Sequence, residues 1–408
     1  MNPKNPQHVF ALSRRRALAA PAAALLAGVL GPTLLAACGG GGGSDAPTGG
    51  TTGAQSFMSG PITGLGSIIV GGVRFDDNSA RVESEDDDDS RSRNRSELQL
   101  GMMVEVESSS IDDSTSRSTA VRIRFGSEMK GPVASLDAAA QTLRVLDQTV
   151  EVRAETVFAS GLSGFAAIQV GQILEIHAQF DAATGRYSAT RIELEDNANE
   201  YRLRGLISNL DTTAKTFKIG DAVINYAAVT ELPSNFADGK RVRVRLQTTQ
   251  VNGQWVATRV RSGVRRVDDF GDARIRGLVT AFTSATQFEV QGVPVEVAAG
   301  ARVEGTVAQG VLVEVRGRAE GGRIIASRVK VRNRDDDEVR GVELHGTVSA
   351  LDTAAKTFLL REVKVSYANV IEWKDGDASN LADGKAVEVK GLWSEDRSVL
   401  NAALIEFE

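Results

Sequence analysis

Four arginines recur at one position of a repeated strand, and they are the side chains best suited to bind a ligand. They are Arg122, Arg191, Arg259 and Arg328. A row of guanidinium groups can bind the carboxylates or phosphates of a lipid or polysaccharide in bidentate fashion. Alternatively, each arginine pairs with an acid of a neighbouring strand or covers the sheet with its aliphatic stem. The fifth copy has Leu404 at this position, which favours the second interpretation.

A run of acidic residues, ESEDDDDSRSRNR from Glu83 to Arg95, is a candidate cation site, and RNRDDDEVR from Arg332 to Arg340 is a weaker echo of it. Calcium takes about six to eight oxygen ligands. However, consecutive aspartates lack the alternate spacing and the glycine of a calcium loop, and the arginines supply internal partners. We therefore predict a solvated loop of mixed charge.

The histidines do not predict a metal site or a catalytic site. His8 lies near the N-terminus, and neither His177 nor His345 has a partner at the spacing of metal ligands. The sequence also contains no G-x-S-x-G elbow, phosphate loop or dinucleotide fingerprint. We therefore expect no catalytic residue, no metal and no cofactor, and we predict that the protein is not an enzyme.

Cys38 is the only cysteine of the chain and follows Leu35-Ala36-Ala37. Residues 1–37 carry Lys4 and the run Arg14 to Arg16 before an uncharged Ala/Leu-rich segment, which is the layout of a secretory signal peptide. The LAAC sequence resembles the lipobox of bacterial lipoproteins, whose cysteine receives diacylglycerol. An inert cysteine in a membrane-spanning anchor is the alternative. Both interpretations hold the protein at a membrane.

The export route and the final membrane are suggested by two further resemblances. Ser13-Arg14-Arg15 with Leu18 is similar to the twin-arginine export signal, although Ala17 replaces the usual Phe, and the general secretory route stays open. By resemblance to Gram-negative lipoproteins, Gly39 after the lipidated cysteine implies the outer membrane, with the protein facing the periplasm.

Charge and composition limit the classes of partner. The formal charge is -6, and removal of the four basic residues of the signal peptide lowers it to -10. An acidic exported chain is a poor match for nucleic acid. Residues 38–59 are rich in Gly, Thr and Ser, so we predict a disordered tether behind the lipidated Cys38. The expected partners are the membrane, through the lipid, and an envelope protein or polysaccharide.

The candidate residues belong to a unit of about seventy residues that recurs five times. Each copy contains a strand with the pattern Gly-x-x-apolar-charge-apolar, as in GMMVEV from Gly101, and a final strand such as AVRIRF from Ala120. The alternation of apolar and polar residues predicts strands with one buried face. In GKRVRVRL the valines should therefore face inward, while Arg243 and Arg245 should face water.

The predicted repeats cover residues 60–130, 131–204, 205–276, 277–345 and 346–408. Five short strands in each repeat, without a long helical period, predict an all-β chain of tandem small closed barrels of the oligonucleotide/oligosaccharide-binding (OB) type. A two-sheet sandwich is the alternative. Asn252-Gly253 and Gly321-Gly322 predict tight hairpins with positive φ. Because such a small unit buries a limited core, we expect contacts mainly between successive copies.

The whole pattern resembles a family of proteobacterial lipoproteins built from tandem copies of an uncharacterised small all-β domain. The resemblance covers Gly60 to Glu408 and rests on the five aligned strand pairs. It implies the fold and the location but no reaction. We therefore interpret the chain as a non-enzymatic, lipid-anchored envelope protein that displays repeated barrel surfaces for binding or scaffolding. An enzyme with a site between adjacent barrels and a purely architectural spacer are the alternatives.

Overall fold

Strands joined by short turns make up the fold, as a computed structural model of the chain shows. The structure describes residues 55–85, 91–153, 155–159, 161–265, 267–333, 342–394 and 398–408. These residues contain short 3₁₀ helices at Arg95–Glu97, Phe165–Ala167 and Ala378–Asn380. None of their helices is long and apolar enough to cross a membrane. The predicted signal peptide, Cys38 and residues 39–54 of the predicted tether lie outside the described residues. The prediction that the tether extends to residue 59 is wrong, because Ser56 to Ser59 are buried in the first strand.

The first three repeats contain strands β1 to β17. In repeat 1 the strands are β1 (Ser56–Leu65), β2 (Ile68–Val70), β3 (Val73–Asp76), β4 (Arg81–Ser84), β5 (Met103–Ser108) and β6 (Arg117–Phe125). In repeat 2 they are β7 (Met129–Asp137), β8 (Thr142–Val145), β9 (Gln148–Glu151), β10 (Val157–Phe158), β11 (Ile173–Asp181) and β12 (Arg186–Glu195). In repeat 3 they are β13 (Tyr201–Asp211), β14 (Thr216–Ile219), β15 (Ala222–Asn225), β16 (Arg241–Val251) and β17 (Gln254–Ser262).

The last two repeats contain strands β18 to β28. In repeat 4 the strands are β18 (Phe270–Ser284), β19 (Gln287–Val290), β20 (Val293–Glu304), β21 (Leu312–Glu320) and β22 (Arg323–Arg332). In repeat 5 they are β23 (Val342–Asp352), β24 (Thr357–Leu360), β25 (Val363–Ser366), β26 (Glu372–Lys374), β27 (Ala386–Trp393) and β28 (Leu400–Phe407).

Each repeat closes into a five-stranded ring with the same connectivity. The first strand pairs antiparallel with the second and with the strand that opens the final hairpin. The second strand pairs antiparallel with the third, which pairs parallel with the last strand. The last two strands are antiparallel. The prediction of an all-β chain with tandem small closed barrels is confirmed, and closure excludes the open sandwich.

Glycines and turn residues explain why the ring forms at these positions. The glycines that precede the fourth strand of each ring have φ between 75° and 89°, a conformation that glycine adopts without steric cost: Gly101, Gly171, Gly239, Gly310 and Gly384. The predicted hairpin turns at Asn252-Gly253 and Gly321-Gly322 also have positive φ at both residues. A Cβ atom on Gly205, in the first strand of its ring, would lie 2.2 Å from Ile219 Cγ2. That glycine therefore makes room for the second strand.

The final hairpin of every barrel contains a β-bulge at the same place. In repeat 2, for example, His177 pairs with the recurrent Arg191, but the next residue, Ala178, pairs with Ala189, so one residue of the last strand is skipped. The residue without a partner immediately precedes the recurrent position: Val121, Thr190, Thr258, Ser327 and Ala403. A bulge bends the strand and redirects the next side chain. The recurrent arginines therefore follow a bulge that recurs in all five barrels.

The five barrels do not pack as a row, because repeat 1 pairs with repeats 4 and 5. Ser56 to Ser59 lie parallel to Asp272 to Ile275, and Gly64 and Leu65 pair with Glu343 and Leu344. Repeats 1 and 5 share one apolar core, repeats 2 and 3 share another, and Phe57 of repeat 1 packs into the core of repeat 4. The expectation of contacts mainly between successive copies is wrong, and the described residues from 55 to 408 form one compact unit.

Other barrels, rather than water, cover part of the outward faces of the strands. In β16 Val244 is buried as predicted, but Arg243 is half-buried and donates a hydrogen bond to the backbone oxygen of Glu85 in repeat 1. In β27 the alternation places the exposed Lys390 next to the buried Val389. The predicted strand register is correct. The expectation that Arg243 faces water is wrong because repeat 1 lies against it.

Candidate functional site

The four recurrent arginines occupy equivalent positions but do not form a surface row. Arg191 is only 1% exposed; its Nε donates to Glu193 Oε1 at 2.6 Å, and its Nη1 lies 2.8 Å from Glu362 Oε1. Arg328 is 42% exposed along its side chain and donates to Glu304 Oε1 at 2.7 Å.

The other two arginines lie between these extremes. Arg122 pairs with the buried Glu107 and lies 3.5 Å from Asp268, and Arg259 is half-buried. The candidate surface-binding assignment is therefore wrong for Arg191, because burial between barrels removes its guanidinium from the surface. At Arg122, Arg191 and Arg328 the pairing with acids agrees with the second interpretation of the sequence.

His345 lies in a group of ionic side chains that sequence spacing did not predict. Its Nε2 is 3.2 Å from Glu343 Oε1 and 3.3 Å from Glu388 Oε2, and its Nδ1 is 2.6 Å from Glu408 Oε1. Although sequence spacing predicts no metal-binding partner for His345, Glu343, His345 and Glu388 present ligand atoms within 4.8 Å of one another. The feature of the sequence that could have predicted this group is the alternation along β23, which places Glu343 and His345 on one face. The register of β23 with β27 then pairs His345 with Glu388.

Two protein cations already pair with carboxylates of this His345 group. Arg74 pairs with Glu343 and places Nη1 2.9 Å from His345 Nε2, while Lys390 Nζ lies 2.8 Å from Glu388 Oε1. A guanidinium so close to the imidazole nitrogen repels a metal ion from the same point. The arrangement therefore favours an ion-pair network between repeats 1 and 5 over a metal centre, and the absence of a metal stays a prediction.

His177 is buried between repeats 1 and 2, although its position on β11 faces outward from its own barrel. Its Nδ1 lies 3.1 Å from the backbone oxygen of Gly126 and 3.4 Å from the backbone nitrogen of Met103. These backbone contacts indicate a packing role at the interface.

The central part of the acidic run, residues 86–90, lies outside the described residues, and so do residues 334–340 of its echo. The described part of the first run is not a solvated loop throughout. Glu83 is 8% exposed and pairs with Arg81 at 2.7 Å, and Glu85 pairs with Arg204 of repeat 3. The prediction of a solvated loop is therefore wrong for Glu83 and Glu85, which contribute to a groove between two barrels.

This inter-barrel groove lies between repeats 1 and 3 and has a volume of about 870 Å³. Among the described residues, its lining carboxylates are Glu83, Glu85, Glu105 and Glu231. Its lining guanidinium groups are those of Arg124, Arg204, Arg243, Arg261 and Arg265. The outer part includes Leu232, which is 41% exposed, and Pro233. The volume falls in the range of about 300–1,000 Å³ that is typical of small-molecule sites.

Glu85 is held as a carboxylate on one side of the groove. It pairs with Arg204 Nη2, and its Oε1 lies 3.9 Å from Arg265 Nε. Burial alone would raise the pKa of Glu85, but the positive charges of Arg204 and Arg265 hold it well below its ordinary value. Glu85 is therefore ionised throughout the physiological range.

Glu105 lies in the same groove, and its pKa is shifted in the opposite direction. Burial, and then the negative charge of Glu85, raise the pKa of Glu105 to about 7, although Arg124 and Arg265 lower it in part. Glu105 is only 3% exposed, with Oε2 3.3 Å from Arg124 Nη2. Near neutral pH Glu85 is therefore ionised, while Glu105 is partly protonated.

Arg265 and Glu105 leave a donor and an acceptor unsatisfied at the groove. Arg265 is 6% exposed and donates from Nη2 to Glu128 Oε1 at 3.2 Å. Its Nε lies 3.6 Å from Glu105 Oε1, which is too long for a hydrogen bond. Among the described residues neither atom has a hydrogen-bond partner. Neither residue could be predicted from the sequence, because they come from different barrels and share no spacing.

One protein-family model matches four segments of the chain. Its description is "Domain of unknown function (DUF5666)", and it matches residues 130–193, 204–261, 276–330 and 345–406. These segments correspond to repeats 2 to 5. Repeat 1 lies outside the matched segments, although it closes into the same ring of strands.

A second comparison, with curated proteins, finds no match. Among solved structures, the chain is similar to one described as "drosophila Unr CSD456", with 17% identity, coverage of 50% of this chain and 97% of that chain, and a TM-score of 0.14. A likeness this low carries no functional argument.

Proposed function

The chain belongs to the family described as domain of unknown function (DUF5666), and from this premise we propose that it is a non-enzymatic, lipid-anchored protein of the cell envelope. Cys38 carries the lipid, and the body faces the periplasm from the outer membrane on a tether that ends before β1 begins at Ser56. The LAAC sequence and the uncharged segment before it support this location. The five barrels serve as a body for binding or scaffolding.

The groove between repeats 1 and 3 is the observation that carries the binding function. Two copies of the same fold contribute opposite charges to it, and its volume suits a ligand rather than a few waters. The outward faces of the repeats differ in how much other barrels cover them, as Arg191 and Arg328 illustrate. Binding at a composite site is therefore better supported than binding at five equal surfaces.

Replacement of Cys38 tests the location. Cys38→Ala should release the protein from membranes and abolish labelling with a radioactive or alkyne fatty acid, because no other cysteine can accept the lipid. The control is Ser44→Ala in the tether, which should remain labelled and membrane-bound. A Cys38→Ala protein that stays in the membrane and keeps residues 1–37 would favour the spanning anchor.

Site-directed cross-linking in the native envelope tests the binding function. Ser234 lies exposed at the groove, and Ser327 lies exposed on repeat 4 outside it. A photoreactive group on Ser234→Cys should form an adduct that the same group on Ser327→Cys does not form. No adduct at either position, with a normally located protein, would favour an architectural spacer.

An enzyme with its site between barrels is the second candidate, since two carboxylates of one groove have pKa values shifted in opposite directions. Such a pair can divide the roles of general acid and base. Glu85 Oε1 and Glu105 Oε1 lie 3.9 and 3.6 Å from the same nitrogen of Arg265, so they are at most 7.5 Å apart, the sum of these distances. This candidate requires a reaction product that Glu105→Gln no longer forms.

A further inference from the structure

The predicted tether enters the folded body at β1, a strand that pairs with strands of three repeats. Ser56 to Pro61 lie antiparallel to β5 of the same repeat. Ser56 to Ser59 also lie parallel to β18 of repeat 4, and Gly64 and Leu65 pair with β23 of repeat 5. Because the same residues pair with β5 and β18, those two strands lie on opposite edges of β1. The start of the body is therefore enclosed by two barrels.

The side chains of β1 are fixed in two different cores. Phe57 is 0% exposed and packs into the core of repeat 4, where its ring stacks on Phe270 with the ring centroids 6.0 Å apart. The next residue, Met58, packs into the core that repeats 1 and 5 share. Successive side chains of a strand point to opposite faces, so both faces of β1 are covered here. Movement of β1 along its own axis would therefore pull apolar side chains out of two cores at once.

The connection of the tether to β1 sets the direction in which tension acts on the body. The tether joins the N-terminal end of β1, so a pull on it acts along the strand. In an antiparallel pair the hydrogen bonds lie perpendicular to the strands. A pull along the strand therefore shears the bonds to β5 and β18 together, whereas a pull across the end of a hairpin opens its bonds one at a time. Bonds that share a load require a higher force to break.

We propose that β1 is a mechanical clamp, which keeps the barrels folded while the lipid anchor and a bound component of the envelope pull on the body in opposite directions. This inference rests on the proposed anchoring and scaffolding, and it goes beyond them by assigning a load-bearing function to one strand. Forced unfolding is governed by the unfolding rate rather than by equilibrium stability alone. The strand next to the anchor is where a high unfolding barrier protects the whole body.

A purified ATP-driven unfoldase with its partner protease tests the clamp by pulling on the tether. The substrate is the chain from residue 38 onward, with a recognition tag fused ahead of the tether, so that the motor pulls on β1 first. Phe57→Leu removes the ring stacking in repeat 4, and Phe217→Leu makes the same change in repeat 3, where Phe217 is 1% exposed. Phe57→Leu should be degraded at least fivefold faster than the wild type, and Phe217→Leu at the wild-type rate.

Melting temperatures and a further variant separate the clamp from a general loss of stability. Phe57→Leu and Phe217→Leu remove the same side-chain volume from buried sites, so both should lower the melting temperature by a similar amount. Phe270→Leu removes the same stacking contact from the side of repeat 4, and it should also accelerate degradation from the tether. This variant replaces Phe57→Leu in the comparison if that chain does not fold.

Two outcomes would overturn the clamp. If Phe217→Leu accelerates degradation as much as Phe57→Leu does, overall stability sets the resistance rather than β1. If the wild type is degraded from the tether as fast as Phe57→Leu and Phe270→Leu, pairing along β1 bears no load. Failure here is distinct from failure of the proposed function, because this substrate carries no lipid. Loss of the predicted acylation at Cys38 would contradict the anchor and leave these degradation rates unchanged.

Discussion

Arg191 in repeat 2 and Arg328 in repeat 4 follow the same bulge in the same strand of their barrels, yet their environments differ completely. Arg191 is 1% exposed and pairs with Glu362 of repeat 5 as well as Glu193 of its own repeat. Arg328 is 42% exposed and pairs with Glu304 within repeat 4. The repeat thus determines where a side chain leaves the barrel, and the neighbouring barrel determines whether it is covered.

The covered and uncovered copies of one position therefore form natural pairs for mutagenesis. Each pair holds the local fold constant and changes only the contact with another barrel. The difference in the free energy of unfolding between the two variants of a pair therefore measures the contribution of that contact to stability. Equal effects within every pair would mean that the barrels behave independently and that their packing contributes little to stability.

The largest difference should occur between the two arginines themselves. Arg191→Ala leaves the carboxylates of Glu193 and Glu362 without their buried partner, and such a loss costs about 3–5 kcal/mol. Arg328→Ala removes a partly exposed pair and should cost less than about 1 kcal/mol. Chemical denaturation of both variants measures the difference. Similar small losses would show that repeats 2 and 5 are not held together through Arg191.

The next difference concerns pH, at Glu105 in repeat 1 and the equivalent Glu314 in repeat 4. Burial raises the pKa of Glu105 to about 7, whereas at Glu314 the guanidinium of Arg332 outweighs burial and lowers the pKa. A carboxyl group whose pKa is raised in the folded state stabilises the protein at low pH. This contribution to the free energy of unfolding is lost as the pH rises from the unfolded-state pKa, near 4.5, to the folded-state pKa.

Glu105→Gln should therefore gain stability relative to the wild type between pH 5 and 8, by up to about 3 kcal/mol. Glu314→Gln should show no such gain, because the contribution of Glu314 changes only below its unfolded pKa. Denaturation midpoints at intervals across this range provide the measurement. Parallel pH profiles for Glu105→Gln and the wild type would contradict the raised pKa.

A smaller difference is expected at the glycines that precede the fourth strand of each ring. Gly101 and Gly239 have φ of 78° and 77°, so alanine strains both backbones equally, by about 1 kcal/mol. A Cβ atom on Gly101 would also lie 2.3 Å from the backbone oxygen of Thr190 in repeat 2, while nothing lies within 4 Å at Gly239. Gly101→Ala should cost about 1 kcal/mol more. Thermal denaturation that ranks Gly239→Ala as the more harmful would refute the contact.

These pairs show which features the sequence specifies. Strand alternation, hairpin turns such as Asn252-Gly253 and the glycine before the fourth strand are local, so they recur visibly and predict the barrel. The contacts of Glu105 with Arg265 join residues far apart in the chain and depend on how whole barrels pack. The spacing of residues in the sequence does not predict such a contact. The fold was therefore accessible from the sequence, whereas the groove required the packing of repeat 1 against repeat 3.

The smallest difference should occur where the barrel itself supplies the environment. Val244 in repeat 3 and Val389 in repeat 5 are both 0% exposed on the inner face of the equivalent strand. Val→Ala at either position removes the same apolar contacts and should cost about 1–3 kcal/mol, with less than about 0.5 kcal/mol between the two variants.

Hydrogen exchange adds the spatial test for these two valines. The Val244→Ala change should lower protection mainly in repeats 2 and 3, which share its core, and Val389→Ala mainly in repeats 1 and 5. Equal loss of protection across all repeats would mean that the covered faces unite the barrels into one cooperative unit. In that case the neighbouring barrel would influence the core as well as the surface, and the separation of the two roles inferred from Arg191 and Arg328 would fail.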